Sequence, residues 1–191
     1  MTGPSRLLLA TGNAHKVAEV QAIMGDAWRV VGRDPGVEET GETFEDNALL
    51  KARALAAAAA ELAIADDSGI EVDALGGAPG VRSARWAEEG DWIPRLLREL
   101  AGTTGAERGC RYVCAAAAAW PEPHARELVV RGVVEGHVAP EPRGTGGFGY
   151  DPIMVPTEGD GRTFAEMTDA EKHVLSHRGR AFRQLARRLV G

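Results

Sequence analysis

The feature that most limits how this chain can fold is a repeated switch, in its first half, between short apolar runs and longer segments of helical spacing. "RLLLA" at residues 6–10 passes through the polar turn "TGN" into "AHKVAEVQAIM", where Val17, Val20, Ile23 and Met24 recur along one face. A change from strand-like to 3.6-residue periodicity across a glycine turn reads as strand, loop and helix. "WRVVG" predicts a second strand, "RDPGVEETGE" a loop, and the stretch from Phe44 to Leu62 a long helix. Thr43 is placed to cap that helix, with Asp46 at its third position. Phe44, Ala48, Leu55 and Leu62 share the face that would pack on a sheet. "LAIADDSGIEVDALGG" then reads as a strand interrupted from Asp66 to Gly69 and resumed at "IEVDAL".

The second half continues in the same materials. "DWIPRLLREL" is a helix with Pro94 in its first turn, and "RYVCAAAAAW" with "RELVVRGVVEGHV" an antiparallel pair joined by "PEPHA". "TDAEKHVLSHRGRAFRQLARRLV" gives two helical pieces, the first with a Thr168 and Glu171 capping box, the second capped by Ser176. The expected fold is α/β, a mixed central β-sheet flanked by helices, formed by residues 1–191 as a single domain.

Composition narrows the function. With 191 residues and 44% hydrophobic content the chain can bury one sizeable core. Its longest apolar stretches, "ALAAAAAELAIA" and "CAAAAAW", fall short of the roughly 20 residues a spanning helix needs. The start "MTGPSRLLLATGN" lacks the apolar centre of a signal peptide, so no membrane association and a cytoplasmic protein are expected. Cys110 and Cys114, four apart in a strand, read as small core residues on one face. The formal net charge of −6 argues against broad nucleic-acid binding, which needs a net basic surface. An anionic partner would be small and locally held. Of the 22 basic residues 19 are Arg, and the only lysines are Lys16, Lys51 and Lys172. A compact ammonium suits phosphate as a point charge.

Four stretches carry possible chemistry. "TGNAHK" sets Thr11, Asn13 and Lys16 between a strand and a helix start, where backbone N–H groups favour an anion. An ordinary Asn-capped helix with an exposed lysine accounts for the same residues. In "IADDSG", Asp66 and Asp67 offer two hard oxygen donors at the end of an apolar run, suited to Mg²⁺. A solvated turn is the competing reading. The acids Glu38, Glu39 and Glu42 could bring a further carboxylate. "GTGGFGYD" surrounds Phe148 and Tyr150 with glycines, and "EKHVLSHRG" sets Lys172, His177 and Arg178 near helix starts, suited to carbonyls or phosphates. A zinc centre is not indicated: Val174 stands where a metalloprotease helix has its Glu between His173 and His177.

Taken in order, "LATGNAHKVAEV", "EETGETFEDNALLKARALA", "IADDSGIEVDALGGAPGVRSARWA", "GTGGFGYDPIMVP" and "FAEMTDAEKHVLSHRGRAFRQL" resemble the noncanonical purine nucleoside triphosphate pyrophosphatases, the inosine and xanthosine triphosphate house-cleaning enzymes. The resemblance implies a two-lobed domain with its active site in a cleft, a homodimer, and Mg²⁺-dependent hydrolysis of ITP, dITP or XTP to the monophosphate and pyrophosphate. It implies Asp67 as general base and metal ligand, Glu38 as a further metal ligand, and Asp66 as a helper that orients water or metal. Thr11, Gly12, Asn13, Ala14, His15 and Lys16 match the triphosphate loop, with Lys16 also catalytic. Ser68 matches a substrate contact, Phe148, Gly149, Tyr150 and Asp151 the nucleotide-binding turn, and Lys172, His177 and Arg178 the surroundings of the base. A related pyrophosphatase for pyrimidine or modified nucleotides, like the septum-formation-inhibitor type, and a non-catalytic nucleotide sensor are the alternatives.

Overall fold

The computed structural model describes residues 3–88 and 90–190. Strand β1 (Ser5–Leu9) leads into helix α1 (Ala14–Met24) and returns through β2 (Trp28–Gly32). Helix α2 (Phe44–Ala59) precedes β3 (Ala63–Val72), and α3 (Trp92–Glu99) precedes the long strands β4 (Gly109–Ala119) and β5 (Glu127–Val138). A short β6 (Met154–Pro156) and helices α4 (Asp169–Leu175) and α5 (His177–Leu189) complete the chain. The six strands lie in the order β2-β1-β3-β4-β5-β6. β1 pairs in parallel with both β2 and β3, as helical connections require, and β5 pairs with β6 antiparallel, so the sheet is mixed as expected.

The chain divides into two compact units. The first runs up to Asp67 and adds Cys114–Gly132 and the segment from Arg178 onward. Its core gathers Leu7 and Leu9 of β1, Val20 and Met24 of α1, Ile64 of β3 and Phe182 and Leu185 of α5. The second comprises Ser68–Val113 and Val133–His177, with a core of Ile70, Val72, Leu96, Leu100, Tyr112, Ile153 and Phe164. Cys114 belongs to the first core and Cys110 to the second, both as buried free thiols. Burial, with Asp73 and Glu135 nearby, pushes the Cys110 thiol up to about 12, so it is chemically quiet.

Two expectations are corrected. β3 is not interrupted at Asp66 to Gly69 but runs unbroken from Ala63 to Val72, with both aspartates buried inside it. The register explains how: β1 ends opposite Ile64, so Asp66 and Asp67 lie beyond the end of that neighbour, where side-chain partners can reach them. Helix α2 stops at Ala59 rather than Leu62, because Ala60 takes a left-handed conformation that turns the chain into β3. Leu62 packs against the first core from the connection.

Candidate active site

In the first unit, Asn13 caps α1, accepting from the backbone N–H of His15 at 2.9 Å and of Lys16 at 3.3 Å. The N–H of Asn13 itself donates to Thr11 Oγ1 at 3.1 Å. Gly12, Asn13, Ala14 and His15 are exposed, so the start of an eleven-residue helix faces solvent. The capped-helix reading of "TGNAHK" is therefore right about Asn13 and wrong about the lysine. Lys16 turns inward, with Nζ 3.1 Å from Asp66 Oδ2.

Asp66 is 1% exposed and is also met by Arg178, which donates from Nη2 at 3.1 Å and from Nε at 3.4 Å. Nη1 of Arg178 donates to Glu19 on α1 at 2.6 Å. Burial by itself would raise the Asp66 carboxyl, but Lys16, Arg178 and Lys51 together outweigh it and hold that acid well below the usual carboxylate range. Asp67 has a different setting. Its Oδ2 accepts from Asn47 Nδ2 at 3.0 Å and its Oδ1 lies 4.0 Å from Lys51 Nζ. Burial and the negative charge of Glu39 raise this carboxyl, and Lys51 and Asn47 offset them only in part. Two adjacent carboxylates are thus pushed in opposite directions, the pattern that separates a permanently charged acid from one able to take a proton.

Glu39 is brought to this group by a short ion pair with Lys51, whereas Glu38 is exposed. Asn47 binds the same loop, its Oδ1 accepting from Gly41 N at 2.7 Å. A side chain at Gly41 would collide with Asn47 and Asp46, which explains the glycine there. Sequence reasoning left Asn47 and Lys51 out of the site. A signal was present: they sit four apart on the buried face of α2 among Phe44, Ala48 and Leu55, where a polar residue needs a partner.

In the second unit, Lys172 on α4 is 4% exposed, and its Nζ lies 2.8 Å from Asp151 Oδ2 and 4.8 Å from the centre of the Phe148 ring. Asp151 Oδ2 also accepts from Phe148 N at 2.8 Å. Gly147 makes this turn possible: its φ is +68°, and a Cβ there would strike the Asp151 carboxylate. The glycines of "GTGGFGYD" thus serve close approach within the protein. Tyr150 is buried and donates from its hydroxyl to Ser83 O at 3.0 Å, which makes it an anchor. Gly149 and Ser68 are half-buried, and His177 is 6% exposed with its ring 4.5 Å from that of Tyr112.

Residues 7–188 match the model of the Ham1 family. The chain belongs to the Ham1 family. A Streptomyces coelicolor relative named dITP/XTP pyrophosphatase is 50% identical over 202 residues, covering 98% of this chain and all of that protein. One from Symbiobacterium thermophilum, with the same name, is 50% identical over 190 residues and spans 96% and 94% of the two chains. Among solved structures, a HAM1 protein from Coxiella burnetii superposes with a TM-score of 0.85 at 38% identity, covering 97% of this chain and 98% of that one. No helix among the described residues of this Ham1 chain is long and apolar enough to cross a membrane.

Proposed function

We propose that this protein hydrolyses dITP, ITP and XTP to the monophosphate and pyrophosphate, removing them from the nucleotide pool, with residues 1–191 acting as one catalytic domain. The observation that carries the reading is the buried pair in β3, with Asp66 bound to Lys16 and Arg178, and Asp67 held by Asn47 at 3.0 Å and 4.0 Å from Lys51. Relatives named for the same reaction, at 50% identity over nearly the whole chain, support it.

Attack on a phosphorus of a triphosphate calls for positioning, charge neutralisation and a base. In the first unit the exposed start of α1, from Gly12 to His15, turns the positive end of the helix toward phosphate oxygens, with Asn13 already accepting from the His15 and Lys16 N–H groups. Asp67, raised by burial and Glu39, takes the proton of the attacking water. Lys16 and Arg178 keep Asp66 ionised, so it orients water and the lysine without competing for that proton. In the second unit Phe148, Lys172 and His177 are the groups for the base. A purine 6-carbonyl accepts from an ammonium or imidazole N–H, whereas the amino group of adenine meets donor with donor. Arg178, engaged with Asp66 and Glu19, is assigned to the acid rather than to the base.

The donor set fits Mg²⁺. Among the described residues no three His, Cys, Asp or Glu side chains form a ready metal centre, and this ion usually takes one or two carboxylates together with water and substrate phosphates. Asp67 with Glu39 would supply those carboxylates, both lying close to Lys51. Glu38 is the less suited neighbour because it stays exposed. The ion supplies charge neutralisation on the phosphate oxygens. The reading extends to a cytoplasmic homodimer that acts on free nucleotides and takes no nucleic acid partner.

Parallel incubations with Mg²⁺ and ITP, XTP, ATP or GTP, resolved by ion-exchange chromatography, test this. The expected products are IMP or XMP and pyrophosphate, with little from ATP, whose 6-amino group meets donor with donor; the yield from GTP reads how far the 2-position adds to the choice. A diphosphate with orthophosphate would overturn the reaction, and tight ITP binding without turnover would favour the sensor.

A further inference from the structure

Tyr112 belongs to none of the motifs in the sequence, yet the polar core of the second unit is assembled on it. It lies in β4, 5% exposed, its ring stacked on Phe164 with centres 5.8 Å apart and 12° between planes. The hydroxyl donates to Asp151 Oδ1 at 3.2 Å. The other oxygen of that carboxylate receives Lys172 Nζ and Phe148 N, both at 2.8 Å. The Tyr112 ring also meets the His177 ring at 4.5 Å, tilted by 43°. Burial and then the Asp151 carboxylate push the phenol well above its usual range, so the hydroxyl remains a neutral donor.

We propose that Tyr112 is a positioning residue for purine recognition, setting Lys172 through Asp151 and His177 through direct ring contact. The inference rests on the assignment of Lys172 and His177 to the base. An ammonium has three N–H donors, and fixing one of them on Asp151 fixes the directions of the other two. Without the hydroxyl, the carboxylate loses the donor that anchors its far oxygen and can rotate about the bonds that carry Lys172. The ring, buried on a central strand and in contact with both Phe164 and His177, gives this orientation a rigid base.

Tyr112→Phe removes one oxygen and keeps the ring. The full-length enzyme is expected to show a KM for ITP and XTP raised about tenfold with kcat within about twofold, the signature of binding lost equally from ground and transition states. Inhibition by pyrophosphate, which reports only the phosphate-handling residues, should be unchanged. In an Asp151→Asn background the added effect of Tyr112→Phe should shrink below about twofold, because the hydroxyl acts through that carboxylate. Asp151→Asn alone should raise KM at least as far, which tests the same link should Tyr112→Phe fold poorly. An unchanged KM for ITP in Tyr112→Phe, an equal loss in pyrophosphate inhibition, or full additivity with Asp151→Asn would overturn the inference while leaving the activity standing. Absence of ITP turnover by the native enzyme would overturn the activity, and this inference with it.

Discussion

In the first unit a buried aspartate, Asp66, is met by two full positive charges, Lys16 and Arg178, with the second aspartate and Lys51 close by. In the second unit the buried Asp151 is met by a single lysine and completes its bonding with neutral donors, the Tyr112 hydroxyl and the Phe148 N–H. The contrast follows the ligands proposed for each. A triphosphate brings several negative charges that must be matched, so its residues are rich in full charge. A purine base is neutral and is told from its relatives by donor and acceptor positions, so its residues are a rigid set of directed hydrogen bonds around one ion pair.

The largest effect expected from breaking this contrast is chemical. Asp67→Asn should lower pyrophosphate release from ITP by about 10²- to 10⁴-fold. Because burial disfavours the Asp67 charge, the variant should be at least as resistant to urea as the native protein. Turnover within tenfold of native would remove Asp67 from its role.

Next comes stability. Lys172→Met leaves the buried Asp151 with no cation and should cost about 3–5 kcal/mol in urea unfolding, while raising KM for ITP. Arg178→Met leaves Lys16 paired with Asp66 and should cost less, about 1–3 kcal/mol. Equal losses would erase the distinction between the two acids.

A pH series sharpens it further. The Asp66 carboxyl is depressed in the folded protein, so its contribution to stability is full above the unfolded value of about 4 and is lost as pH falls below it. Urea midpoints taken from pH 6 downward should therefore fall less steeply in Asp66→Asn than in the native protein. A parallel decline in the two would contradict the assignment. The smallest effect belongs to the surface: Arg162, half-buried and paired with the exposed Asp160 and Glu171, should be replaceable by Gln at a cost of no more than about 1 kcal/mol and with turnover unchanged.

Much of this was legible in the residues. Helix α1 begins after Asn13 and ends at Met24, as the spacing of Val17, Val20, Ile23 and Met24 predicts, and the Thr43 and Thr168 caps form as read. The scarcity of lysine proved informative, for all three pair with buried or half-buried acids in the two constellations. What escaped depends on distant partners. Two adjacent aspartates look like the end of a strand until Lys16, Arg178, Lys51 and Asn47 arrive from α1, α5 and α2 to make them tolerable inside one. The three-residue β6 is too short to show a period, and the Tyr112 hydroxyl finds its acceptor 39 residues away.

The proposed release of IMP and pyrophosphate calls for water, deprotonated by Asp67, to attack the α-phosphorus, and this is tested most directly by running ITP hydrolysis in ¹⁸O-labelled water and weighing the products. The account predicts one ¹⁸O in IMP and none in pyrophosphate. Label in pyrophosphate would place the attack on the β-phosphorus and contradict it.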